Sequence, residues 1–159
     1  MKKLKISITG CLGRMGQQTI KSANKNRNIN IVTLTENKKT NKKTNNILPQ
    51  KNSEGAFKNT SVIIDFSTPK CTLEVLKIAS KINKKIVIGT TGFSTKQENL
   101  IKKYAKKIPI LKAGNMSLGI NLLMYFAEIS SKSLGKNYLF KIFESHHKYK
   151  KDHPSGTAL

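Results

Sequence analysis

The chain has no tryptophan, its cysteines are Cys11 and Cys71, and only 8 of its 159 residues are Asp or Glu. Two cysteines so far apart, with no Cys-x-x-Cys or His/Cys ligand spacing, exclude a disulfide framework and a zinc site and predict two reduced thiols. Long apolar runs are missing too. The basic start "MKKLKISITGC" has a faint lipoprotein-leader look before Cys11, but Lys5 breaks its apolar run, which is too short for a leader or a membrane span. A mature, soluble, cytoplasmic protein with no membrane partner is expected. Arginine is scarce as well: Arg14 and Arg27 stand among 30 basic residues, so the net charge of +22 is carried by lysine. Such a field draws polyanions. Base readout and bidentate phosphate clamps rely on arginine, however, and the lysines run along the whole chain amid much asparagine and isoleucine, as in AT-rich coding sequence. No specific nucleic-acid partner is expected.

What is present is a 37% hydrophobic content, enough for one domain with a proper core and the start of a second. Short β-branched runs alternate with longer amphipathic stretches, the pattern of βαβ units and a parallel sheet. The predicted strands are Leu4–Thr9, Asn30–Thr35, Ser61–Phe66, Lys85–Ile88 and Ile108–Lys112. Helices are predicted over Arg14–Lys25, Pro69–Ile82, Thr95–Lys107 and Ser117–Leu134. Thr68 caps one of them with Pro69 at its first position, and Ser94 with Gln97 makes a capping box on the next. The lysine-rich stretch Asn37–Gly55 reads as an exposed excursion between the second and third strands.

The first motif with chemistry is "ITGCLGRMG". Gly10, Gly13 and Gly16 follow a predicted strand and open a predicted helix, where glycine lets backbone approach a pyrophosphate and helix N-terminal amides face its charge. Glu36 ends the second strand about twenty residues on, placed to accept from the adenosine ribose hydroxyls. Asn37, Lys38 and Lys39 come next, and a cation there could pair with a 2′-phosphate, so NADH and NADPH both stay open. Two further loops, "IGTTGFS" and "KAGNMSLG", fall at the carboxyl ends of later strands, where ligands sit in doubly wound sheets. Gly89, Thr90, Thr91 and Gly92 would let backbone close on the nicotinamide half, and Asn115 with Ser117 adds polar groups for its amide.

The end of the chain, "ESHHKYKKDHPSGTAL", holds all three histidines, His146, His147 and His153. "KNYLFKIF" before it alternates like a strand running into Glu144. Three readings are open: a basic surface loop with incidental histidines, a metal site, or an anion pocket. Adjacent histidines on extended backbone point to opposite sides and only Glu144 and Asp152 are near, so no metal is expected. In the anion pocket, Pro154 and Ser155 start a helix whose free amides at Gly156 and Thr157 bind a carboxylate, with Lys and His beside it as charge partner and proton donor.

Together "GCLGRMG", "DFSTP" at Asp65–Pro69, "VIGTTGF", "GNMSLGINLL" and "ESHHKYKKDHPSGTAL" resemble the dihydrodipicolinate reductase (4-hydroxy-tetrahydrodipicolinate reductase) family, from end to end of the chain. The last resembles the family's E-x-H-H-x-x-K-x-D-x-P-S-G-T-A signature. The resemblance implies a Rossmann-like α/β domain over 1–116, then over 117–159 a connecting helix and the start of an α+β substrate domain. It implies hydride transfer from NADH or NADPH to a cyclic hydroxy dicarboxylate in the diaminopimelate route to lysine, by a homotetramer when full length. By the same resemblance, His146 is the proton donor and acceptor, and Lys150, rather than Lys148 or Lys151, is the second proton donor. His147, Gly156 and Thr157 contact substrate. Gly10, Cys11, Leu12, Gly13, Arg14, Met15, Glu36, Asn37, Lys38, Gly89, Thr90, Thr91, Ala113, Gly114, Asn115 and Met116 line the cofactor. The family commonly has an arginine after the ribose-binding acid; this chain has Asn37, so phosphate recognition falls to Lys38 or Lys39 or is weak. Family members also continue well past "SGTAL", so the 159-residue chain is expected to be an inactive fragment. A non-catalytic nucleotide-binding remnant and a basic nucleic-acid module are the alternatives.

Overall fold

The structure is a computed structural model and describes residues 3–38 and 40–145. The chain divides into two compact units, Met1–Lys112 and Ala113–Leu159. The first is a parallel sheet of β1 (Leu4–Thr9), β2 (Ile29–Thr35), β3 (Val62–Asp65), β4 (Lys85–Ile88) and β5 (Ile110–Lys112), in the order β2-β1-β3-β4-β5. Helices α1 (Arg14–Lys25), α2 (Glu54–Phe57), α3 (Pro69–Lys81) and α4 (Thr95–Ala105) connect the strands. Parallel neighbours need crossovers, and crossovers are right-handed. Going from β1 to β2 in one direction and from β3 to β5 in the other therefore puts α1 on one face and α3 and α4 on the opposite one. This is the doubly wound, Rossmann-like fold expected.

Two apolar clusters follow from that winding. Ile6, Ile8, Cys11, Ile20, Ala23, Ile31 and Leu34 join α1 to β1 and β2, while Phe57, Ile63, Val75, Leu76, Ala79, Ile86, Ile88 and Ile101 join α2, α3 and α4 to β3 and β4. Each fully buried Ile, Leu or Val contributes about 1.5–3 kcal/mol relative to exposure.

Local chemistry sets the element ends. Thr68 Oγ1 accepts from Cys71 N, with Pro69 at the first turn of α3, and the Ser94–Gln97 capping box starts α4. Strand β5 begins at Ile110, two residues later than expected, because Pro109 has no N–H for the ladder and contributes only its carbonyl, which accepts from Ile86 N at 3.1 Å. The lysine-rich excursion carries more structure than expected. Its residue Gln50 returns to the edge of β2, donating to Leu34 O and accepting from Glu36 N, both at 2.9 Å, and Ser53 then caps the short α2.

The second unit holds α5 (Leu118–Leu134), capped by Ser117, whose Oγ accepts from Ile120 N and whose own N–H donates to Asn115 Oδ1 at 2.7 Å. Residues Leu122, Leu123, Met124, Tyr125 and Phe126 of α5 are exposed. The strand expected over "KNYLFKIF" is not there. A short 3-10 turn at Gly135–Asn137 is followed by irregular backbone through Ser145, because alternation makes a strand only where a neighbour completes its hydrogen bonds.

Candidate cofactor site

Between β1 and β3 the winding reverses, so the loop after β1 and the loop after β3 turn away from each other and open a crevice at the carboxyl edge of the sheet. A cleft of about 250 Å³ lies there, lined by Gly13, Arg14, Met15, Phe66, Ser67, Gly89, Thr90 and Thr91.

Its first wall is the glycine loop. Gly10 takes φ +72° and its amide donates to Thr35 O at 3.0 Å, fastening the loop to the end of β2. Glycine at 16 lets α1 descend onto that loop, since a Cβ there would stand 2.2 Å from Gly10 O. Gly13 is the N-cap of α1 and has no side chain to close its first turn, whereas α3, α4 and α5 are each capped by a hydroxyl. The first-turn amides of α1 are thus presented to an external anion, backed by the helix dipole. Cys11, expected to line the cofactor, is instead fully buried beneath the loop, its N–H donating to Thr35 O at 3.3 Å and its carbonyl accepting from Gln17 Nε2 at 2.6 Å. Burial, reinforced by the charge of Glu36, pushes that thiol up to about 11.

Glu36, just beyond β2, does not line the cleft but flanks its glycine wall. Its carboxylate accepts from Leu12 N at 3.2 Å and Asn37 N at 2.9 Å, which holds an acceptor next to the glycine loop on the β2 side. Asn37 and Lys38 follow it, exposed.

The cleft's other wall was only half legible in the sequence. Gly89, Thr90 and Thr91 follow β4 as expected, but Phe66 and Ser67, after β3, share the cleft with them. The glycine at 89 leaves room for the Phe66 ring, 1.9 Å from where a Cβ would be. The signal was the "DFSTP" stretch, which reads as a helix cap from its Thr-Pro pair while the two residues before the cap face the crevice. Beneath them Asp65 is fully buried, and burial raises its carboxyl above the usual range against the hydroxyl and amide donors that lower it.

The donor set fits a dinucleotide: an uncapped helix start behind glycines, an acid on the β2 side, and a threonine loop across the switch point. Ala113, Gly114, Asn115 and Met116 belong to the second unit. Lys39, His146, His147, Lys150, Gly156 and Thr157 lie outside the described residues, as does the helix start expected at Pro154 and Ser155. Among the described residues no helix is long and apolar enough to cross a membrane.

Two family models cover the chain: "Dihydrodipicolinate reductase, N-terminus" over residues 4–116 and "Dihydrodipicolinate reductase, C-terminus" over residues 119–159. A 4-hydroxy-tetrahydrodipicolinate reductase of Pelagibacter ubique is 64% identical over 100% of this chain and 62% of its own length. One from Buchnera aphidicola of Cinara cedri is 42% identical over 99% of this chain and 62% of the relative. Among solved structures, a dipicolinate-bound dihydrodipicolinate reductase from Paenisporosarcina sp. TG-14 superposes with a TM-score of 0.75 at 26% identity, over 98% of this chain and 63% of that one. The chain thus spans a little under two thirds of the length of the relatives it matches. With its crevice, glycine loop and both family models in register along its length, the chain belongs to the dihydrodipicolinate reductase family.

Proposed function

We propose that this chain carries the dinucleotide-binding domain, over 1–116, and the start of the substrate domain, over 117–159, of a cytoplasmic NAD(P)H-dependent 4-hydroxy-tetrahydrodipicolinate reductase. The observation that carries the reading is the meeting of the glycine loop, Glu36 and the Gly89–Thr91 loop at one switch point, in a chain 64% identical to a protein of that name. The nicotinamide cofactor, when bound, supplies the hydride. On the chain's side, the first turn of α1 holds the pyrophosphate, Glu36 accepts from the adenosine ribose, and Lys38 or Lys39 meets a 2′-phosphate where NADPH is used. Gly89, Thr90, Thr91 and the segment Ala113–Met116 receive the nicotinamide half.

The substrate is a cyclic dicarboxylate, in keeping with the dipicolinate held by the solved relative. Gly156 and Thr157 hold one of its carboxylates, and His147 contacts the substrate. His146 delivers and accepts the proton, with Lys150 as second donor and charge partner; a histidine titrates near neutral pH, where such a transfer is efficient. Cofactor and substrate are both anionic, so the net charge of +22 favours their encounter. The product enters the diaminopimelate route to lysine, and the working assembly is a homotetramer.

Steady-state kinetics on a form as long as the relatives tests the assignment. His146→Gln lowers kcat by roughly 10²–10⁴-fold with cofactor affinity little changed. Lys150→Ala harms both kcat and KM, while Lys148→Ala and Lys151→Ala are mild. Equal, small effects at all four positions would reduce the segment to a basic surface loop.

A further inference from the structure

Asp65 ends β3 with its side chain fully buried, one residue before the chain reaches the cleft. Three hydroxyls from three segments converge on it. Ser67 Oγ donates to Oδ1 at 2.5 Å, Thr72 Oγ1 of α3 donates to Oδ2, and Thr90 Oγ1, from the loop after β4, donates to Oδ2 at 3.3 Å. Thr90 Oγ1 in turn accepts from Ser67 N at 2.9 Å, closing a ring of Asp65, Ser67 and Thr90. Ser67 and Thr90 line the cleft; Asp65 does not.

Core packing does not require a carboxylate at this position. Its register partner is Ile88, its neighbour two residues back on the same strand face is Ile63, and an apolar side chain would avoid the desolvation penalty of a buried carboxylate. What an acceptor does there, and an apolar group cannot, is fix the direction of the two hydroxyls and thereby the spacing of two loops. We propose that Asp65 is a positioning residue of the cofactor site, acting through Ser67 and Thr90 to hold the loops after β3 and β4 where they receive the nicotinamide half of the dinucleotide. The inference rests on the dinucleotide reading above. In that reading Glu36 and the glycine loop serve adenosine and pyrophosphate, so Asp65 governs one half of the ligand and leaves the other alone.

The test is calorimetry of the 159-residue chain with NADH and, separately, with ADP, which lacks the nicotinamide half. Asp65→Asn and Thr90→Val each raise the NADH dissociation constant about tenfold, as expected for losing a hydrogen bond to a charged group, and leave ADP binding within about twofold. The double variant is no worse than the weaker single, because both changes break one unit. Thr90→Ser, which keeps the hydroxyl, restores NADH binding. Additive losses, equal losses for NADH and ADP, or unchanged NADH binding would overturn the proposal. If Asp65→Asn does not fold, the Thr90 pair decides: a loss in Thr90→Val that Thr90→Ser does not rescue counts against it. A folded wild-type chain that binds neither ligand overturns the dinucleotide reading itself and this inference with it, whereas wild-type binding without the selective loss overturns this inference alone.

Discussion

Gly16→Ala and Gly13→Ala are the same chemical change three residues apart, and the structure assigns them opposite consequences. At Gly16 a new Cβ would stand 2.2 Å from Gly10 O and 2.8 Å from Cys11 Cα, both backbone atoms with no rotamer to escape into. Alanine is the better helix former by about 1 kcal/mol, but overpacking against an immovable neighbour costs about 3 kcal/mol, so a net loss of about 2 kcal/mol is expected. In a chain of 159 residues that lowers Tm by roughly 4–8 °C. At Gly13, φ is −71°, which alanine accepts, and the Cβ meets only Gly10 O at 3.3 Å. Exchanging glycine for alanine at an N-cap costs only about 1 kcal/mol, so Tm falls by no more than about 4 °C. The methyl group would instead crowd the cleft that Gly13 lines, raising the NADH dissociation constant about tenfold as it displaces a charged group from its amides. Circular dichroism melts and NADH titrations of the two variants separate the effects. An unchanged Tm in Gly16→Ala, or a larger Tm loss in Gly13→Ala, would refute the packing of α1 on the glycine loop.

Cys11, its thiol pushed up to about 11 chiefly by burial, and Cys71, raised by burial as well, should resist iodoacetamide at pH 8 in the native protein and react once it is unfolded; mass spectrometry with and without denaturant shows the difference. Asp65, its carboxyl raised above the ordinary 3.8 by burial, binds its proton more tightly folded than unfolded. Its contribution to stability is therefore full below 3.8 and is lost as pH rises through the folded value. The Tm of wild type minus that of Asp65→Asn should accordingly be larger below pH 3.8 than at pH 8, and a difference independent of pH would count against the raised carboxyl.

Most of the first unit was legible because its elements carry their own boundaries. β1, α1 and β4 fall where periodicity put them, and Thr68-Pro69 and Ser94-x-x-Gln97 announce α3 and α4 through hydrogen bonds made within one turn. Local pattern misleads where a partner distant in the chain decides. The alternation of "KNYLFKIF" counts for nothing without a neighbouring strand, and α2, only Glu54–Phe57, is too short to show a period, although Ser53 caps it and Phe57 is buried. The glycine loop, Glu36 and the Gly89–Thr91 loop could be read because each follows a strand end. Phe66 and Ser67 were hidden beside a helix cap. The carboxylate ring beneath them joins residues 65, 67 and 90 across two strands, a link that no spacing rule reveals.

The central claim is that the crevice between β1 and β3 takes a nicotinamide dinucleotide, and calorimetric titration of the 159-residue chain with NADH and with NADPH tests it most directly. Saturable binding of one dinucleotide per chain is the predicted result, and a strong preference for NADPH would assign Lys38 or Lys39 to its 2′-phosphate. A sample that circular dichroism shows to be folded, yet that releases or absorbs no heat with either cofactor, would contradict it.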